Sequence, residues 1–183
     1  FSQLKIVLEH VTTRRAVNLI KELPLTVRAT ITAHHPRLTF DDVFDRDGRI
    51  KNPHNYCEPV AKGERDREAL DEARMSGDPH FMHGTDSAPH PEREKLWTDG
   101  KRGKPGSFTA PVAYSLCIED FEKHGCLEKL EQFTSGSAME HYGLEHSGRT
   151  VIFVKKPWVV PERYGNVVPF GAGETRQWQI EEP

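Results

Sequence analysis

The stretch "HGTDSAPH", His83 to His90, sets an acid, a hydroxyl and a proline between two histidines, directly after the apolar pair Phe81-Met82. Apolar residues running into Gly-Thr-Asp predict a strand that ends in a turn, and strand ends are where α/β enzymes display reactive groups. Two other stretches follow the same pattern: "LKIVLEH" ends in His10, and "TVRATITAHH" ends in His34 and His35. Imidazole nitrogen and carboxylate oxygen suit zinc, and a catalytic zinc site leaves one position open for water. Parallel strands of one layer present their C-terminal ends on the same face, so His10, His34 or His35, and Asp86 can converge although far apart in sequence. Plainer readings compete. A histidine at a strand end also serves as a surface or capping residue, and Asp86 and Ser87 can cap a turn that Pro89 stiffens, leaving His90 exposed.

The elements that would position these groups are legible around them. Leu4, Ile6 and Leu8 alternate with Lys5, Val7 and Glu9 as in a strand. Thr12 or Thr13 is placed to cap a helix bearing Ala16, Val17, Ile20 and Leu23, which Pro24 stops. A β-branched run from Thr26 to Thr32 predicts the next strand, giving a β-α-β unit with parallel strands. Residues 36–62 read as an irregular loop with a short strand near Asn55 to Glu58. Ala69, Leu70 and Ala73 mark a helix ending at Gly77, followed by a strand over Pro79 to Thr85. Residues 91–107 form a charged, glycine-bearing loop suited to folding over a site. Val112, Ala113, Leu116, Cys117 and Phe121 predict a helix ended near Gly125, and Leu127, Leu130 and Phe133 another. The tail is strand-like over 149–160 and closes with turn residues and a short extended run.

Composition narrows the class. A chain of 183 residues, 36% hydrophobic and 29% charged, suits one domain or part of one. A formal net charge of -3 and a pI near 6.4 supply no long-range attraction to nucleic acid or an anionic membrane. No apolar run approaches the roughly 20 residues needed to span a bilayer, and no basic-then-apolar leader opens the chain, so a cytoplasmic protein is expected. The three cysteines lack CxxC spacing, which predicts reduced, buried thiols. The chain opens at Phe1 and enters a strand almost at once, so a preceding part is expected.

Taken together, "LEHVTT" at Leu8 to Thr13, "ATITAHH" at Ala29 to His35, "HNYCEPVAK" at His54 to Lys62, "GTDSAPH" at Gly84 to His90 and "GAGETRQW" at Gly171 to Trp178 resemble the C-terminal half of a monofunctional dihydroorotase, a family of the amidohydrolase superfamily. The resemblance implies α/β architecture: residues 1–183 would be the C-terminal portion of one (β/α)8 TIM-type barrel domain, about its last four strands, with a C-terminal helical and extended extension. It implies two zinc ions, with His10 and His35 as ligands of one and Asp86 as ligand of the other and as general base and acid. His34 falls on a variable position, and strand parity, which sends adjacent residues to opposite faces, agrees in admitting only one of the pair. His90 matches a contact to the substrate carboxylate; backbone near Glu58 and around Pro105-Gly106 matches the places that hold the pyrimidine ring. Glu58 departs from the apolar residue usual there, which matters little if only its main chain is used.

The implied reaction is reversible hydrolysis of L-dihydroorotate to N-carbamoyl-L-aspartate in de novo pyrimidine synthesis. The family's His-x-His ligand pair, its carboxylated bridging lysine, and its carboxylate-gripping Arg and Asn have no match here and are expected before Phe1. A missing N-terminal half and a second copy in a homodimer are the implied partners, and a half barrel would leave two strand edges unpaired. Two alternatives stay open: a hydantoinase-like cyclic amidase, and a non-catalytic scaffold of the same fold.

Overall fold

A computed structural model describes residues 3–98 and 101–181. Its organising feature is a three-stranded parallel sheet in the order β1 (Ile6–Leu8), β2 (Val27–Ile31), β3 (Phe81–His83). Leu8 pairs with Ala29 and Ala29 with Phe81, so the C-terminal ends of all three strands lie along one edge of the layer. Parallel neighbours need crossovers, and two helices supply them. Helix α1 (Arg14–Lys21) starts at Thr13, whose hydroxyl accepts the Ala16 N–H at 3.1 Å, and buries Val17 and Ile20. Between β2 and β3 lie α2 (Phe40–Val43) and α3 (Glu64–Met75); α3 buries Ala69, Leu70 and Ala73 on its inner face. Val17, Ile20, Leu70 and Ala73 join Ile31, Phe81, Leu116 and Phe121 in the main core.

After β3 come a one-turn helix, α4 (Glu92–Lys95), then α5 (Ala113–Lys123) and α6 (Ser137–Tyr142). Strands β4 (Phe153–Val159) and β5 (Thr175–Ile180) form a separate antiparallel pair. Among the described residues no helix is long and apolar enough to cross a membrane, and the three cysteines are free and buried.

Two expectations need correction. Residues Asn55 to Glu58 form no strand, so three parallel strands rather than about four are seen among the described residues, and no closed barrel. The reason is where the backbone there finds its partners: the Tyr56 carbonyl is taken by the Gly106 N–H and by the Lys95 ammonium, not by a neighbouring strand. The helix read from Leu127, Leu130 and Phe133 is broken into a 3-10 turn over Leu127–Lys129 and a π turn over Gln132–Gly136. Thr134 and Ser135 hydroxyls bond back to the carbonyls of Leu130 and Glu131, competition that distorts helices.

Candidate functional site

Beyond Leu8 the chain turns at His10, which takes a positive φ of 39°, and beyond His83 it turns at Asp86, with φ of 41°. Non-glycine residues rarely adopt this left-handed region, and such strain concentrates at functional sites. Thr30, on the central strand, clamps the two turns. Its hydroxyl accepts the His10 N–H at 2.7 Å and donates to Glu9 Oε2 at 2.9 Å. Gly84 lies against the same threonine: a Cβ there would sit 2.7 Å from Thr30 Cβ.

At the end of β2 the chain enters a 3-10 turn over His35–Arg37, so His34 and His35 are no longer on a strand. Their rings lie side by side with centroids 4.4 Å apart, which corrects the strand-parity argument for separating them. Both are buried, and their environments differ. His35 Nδ1 meets the Thr32 hydroxyl at 2.8 Å and Nε2 meets the Pro59 carbonyl at 2.8 Å. Since a carbonyl only accepts, Nε2 carries the proton here and the Thr32 hydroxyl donates to Nδ1. Neither ring nitrogen of His34 has a partner, and His10 Nδ1 is likewise buried and unpaired.

His10 acts electrostatically on all three other groups. Burial drives His34 well below the ordinary histidine value, with His35 and His10 adding like-charge opposition. Burial lowers His35 to about 4, opposed by its hydrogen bond to the Pro59 carbonyl and helped by His10. Asp86, near the surface, is raised by partial desolvation while His10 pulls it down and Glu9 pushes it up. Both imidazoles of the pair are therefore neutral at pH 7, the form in which histidine binds metal.

Cys57 completes a buried group with His34 and His35, its Sγ 3.4 Å from His35 Nε2. Burial raises its thiol to about 12, so it is a protonated neighbour rather than a thiolate ligand. The nitrogen and oxygen donors of His10, His35 and Asp86 suit zinc, and the unpaired buried nitrogens offer further capacity. Both ring nitrogens of His35 are engaged, by the Thr32 hydroxyl and the Pro59 carbonyl, whereas those of His34 and Nδ1 of His10 are not.

The rest of the site is built by loops around Asp86. Ser87, read in the sequence as part of a spacer, is an anchor: its Oγ accepts the N–H groups of Thr109 and Ala110 at 3.1 and 2.9 Å. Ala88 N–H reaches the Ser107 carbonyl at 3.0 Å. These bonds lay the 105–107 segment beside the turn, so that Gly106 lies against Ala88 and His90; a Cβ on Gly106 would sit 3.2 Å from His90 Cδ2. Glu58 is exposed and its carboxylate accepts the Tyr56 hydroxyl at 2.6 Å, which leaves its main chain as the part that can serve the site. Of the charged loop 91–107, Asp99 and Gly100 lie outside the described residues; Lys95, Gly103 and Ser107 are buried, while Arg93, Leu96, Lys101, Arg102 and Lys104 are exposed.

Arg37, two residues past His35, fixes the imidazole turn from behind. It donates to Asp120 at 3.0 and 2.5 Å and to the Leu116 carbonyl at 3.1 Å. Asp120 also accepts from buried Arg74 at 2.7 Å. Next to it, Glu119 lies 3.6 Å from Arg37 and 3.1 Å from Arg176 of β5. The sequence carried no signal for this network, because isolated charges on helices read as solvated faces.

A parallel layer with histidines and an acid at its C-terminal edge defines a class. No family model matches the chain, but a D-hydantoinase structure superposes on it with a TM-score of 0.78 over 98% of this chain and 43% of its own, at 15% identity, a likeness of fold alone. The class that this likeness defines is an α/β fold built on a parallel sheet. Within it the similarity narrows. The dihydroorotase of Shewanella baltica is 43% identical over 185 residues, covering 99% of this chain and 52% of that protein. A Saccharomyces cerevisiae dihydroorotase structure, in complex with 5-fluoroorotic acid, has a TM-score of 0.87 at 34% identity, over 99% of this chain and 52% of its own. The chain is homologous to the C-terminal half of the dihydroorotases and spans about half the length of these relatives.

Proposed function

We propose that the intact protein carrying this chain is a dihydroorotase, a cyclic amide hydrolase that interconverts L-dihydroorotate and N-carbamoyl-L-aspartate in pyrimidine synthesis. One observation carries the reading: in a chain this similar to such enzymes, His10 lies within electrostatic reach of both His35 and Asp86 at one edge of a parallel sheet. Residues 1–183 then form the C-terminal portion of a (β/α)8 barrel domain, completed by an N-terminal half and paired as a homodimer in the cytoplasm.

The residues proposed to hold zinc are His10, His35 and Asp86, within a two-ion site whose carboxylated lysine and remaining ligands lie outside this chain. When bound, zinc would acidify water and polarise the ring carbonyl. His35 would bind zinc by exchanging one of its two present partners, the Thr32 hydroxyl or the Pro59 carbonyl, for the metal.

Asp86 takes the proton of the attacking water as the C–O bond forms. It returns that proton to the ring nitrogen as the C–N bond breaks, and ends ionised as it began. Its raised affinity for protons suits this double role. His90 donates a hydrogen bond to the substrate carboxylate. The main chain at Glu58 and at Pro105-Gly106 holds the ring.

The test is an assay of the intact protein on dihydroorotate and on a hydantoin. Metal-dependent turnover of dihydroorotate is expected. Turnover of the hydantoin alone would transfer the chain to the hydantoinase class, and turnover of neither would leave the scaffold reading.

A further inference from the structure

Lys95 lies in a run of charges, yet it is 2% exposed, and among the described residues it forms no ion pair. Its three ammonium hydrogens are matched by three carbonyls: Tyr56 at 2.8 Å, Lys104 at 3.0 Å and Gly106 at 2.6 Å. A buried ammonium costs free energy unless each donor is satisfied, and here backbone oxygens alone do it. Two of the three carbonyls belong to Tyr56 and Gly106, on the segments proposed to hold the substrate ring.

We propose that Lys95 is the positioning residue of the ring slot, its ammonium fastening the 56–58 segment to the 104–106 segment. The inference rests on the dihydroorotase reading and adds a residue that touches no substrate.

Three contacts support it. Gly106 N–H donates to the same Tyr56 carbonyl at 2.9 Å, so the two segments meet at one oxygen that Lys95 also holds. Lys104 N–H reaches the Glu94 carbonyl at 2.7 Å, tying the second segment to the one-turn helix that bears Lys95. Gly103 fits beneath that helix only because it lacks a side chain, since a Cβ would fall 2.0 Å from the Lys95 carbonyl oxygen. Desolvation lowers the ammonium to about 8, which agrees with its enclosure. Without the ammonium, the Lys104 carbonyl keeps no partner among these bonds, and the slot loses its fixed width. Binding energy that depends on a preformed slot is then lost.

The experiment uses the intact, zinc-loaded protein and its Lys95→Met variant, which keeps length and apolar bulk but has no donors. Dihydroorotate binding is measured by calorimetry, with steady-state kinetics, zinc content and unfolding midpoint alongside. The expected result is an increase of about tenfold or more in Kd and KM, with zinc content intact and kcat changed far less. Lys95→Arg, which restores donors, should recover part of the affinity. A folded Lys95→Met protein with wild-type Kd and KM would overturn the proposal, as would loss of zinc in step with activity. If Lys95→Met does not fold, Lys95→Gln, which keeps a polar end but supplies two donors in place of three and carries no charge, is read on the same Kd and KM. Raised KM supports the proposal, and an unchanged KM overturns it. A wild-type protein inactive on dihydroorotate would instead remove the parent reading, a different result from an active wild type with an unaffected variant.

Discussion

Gly84 and Thr30 occupy one another's space so closely that no side chain fits between them: a Cβ on Gly84 would meet Thr30 Cβ at 2.7 Å and its hydroxyl at 3.0 Å. That hydroxyl also receives the His10 N–H and donates to Glu9. One contact therefore sets the spacing between the turn of Asp86 and the turn of His10.

Gly84→Ala should loosen both turns. Overpacking of this kind costs about 1–3 kcal/mol, and the displaced Thr30 should weaken zinc retention as well. Urea unfolding and metal content measured together check it, and a variant with unchanged zinc content would show that the clamp does not hold the metal site.

His34 and His35 should separate by metal analysis. His35→Ala should lose zinc from the intact protein, while His34→Ala should keep its zinc and lose mainly packing stability. The reverse pattern would move the ligand role to His34, whose nitrogens are unpaired in this structure.

Asp86→Asn should reduce turnover by roughly 10²–10⁴, the usual contribution of a general base, because an amide accepts no proton. His90→Ala should chiefly raise KM, since it faces a carboxylate that does not react. If the run were only a capped turn, both variants would cost about 0.5–2 kcal/mol of stability and leave turnover per folded molecule intact.

His83 gives stability a pH dependence. Its ring lies 5.7 Å from Phe133 and 6.1 Å from Tyr114, and burial lowers it from 6.5 to about 4, with Arg74 acting in the same direction. Between those values the unfolded chain binds the proton and the folded one does not, so stability falls as pH drops through this window. His83→Leu should flatten that decline. Unfolding midpoints from pH 7 to pH 4 measure it, and an unchanged slope would clear His83 of the effect.

The strand ends and the "HGTDSAPH" turn were legible because apolar runs stopped by Gly, Asp and paired histidines have a periodic signature. So were α1, α3 and α5, whose apolar residues recur at helical spacing. The segment at Asn55 to Glu58 misled, because its apolar neighbours suggest a strand while its carbonyls are claimed from loops far along the chain. Lys95 and Ser87 were invisible for the same reason: one charge in a charged run, or one serine in a turn, carries no mark of the distant backbone it will hold. The resemblance placed His10, His35 and Asp86; only coordinates could show that His34 stacks beside His35 rather than facing away.

The Arg176–Glu119–Arg37 contact is a brace in space, and along the chain it also fixes an order of events. Domains assemble as they are synthesised, N-terminal parts first. The two histidines, α3 and α5 can come together while β5 is still inside the ribosome, and the anchor from Arg176 arrives only when that strand has emerged. A nascent chain halted before Arg176 would hold both imidazoles on a turn tied through Arg37 to α5, at Leu116, Glu119 and Asp120, with no tie to β5.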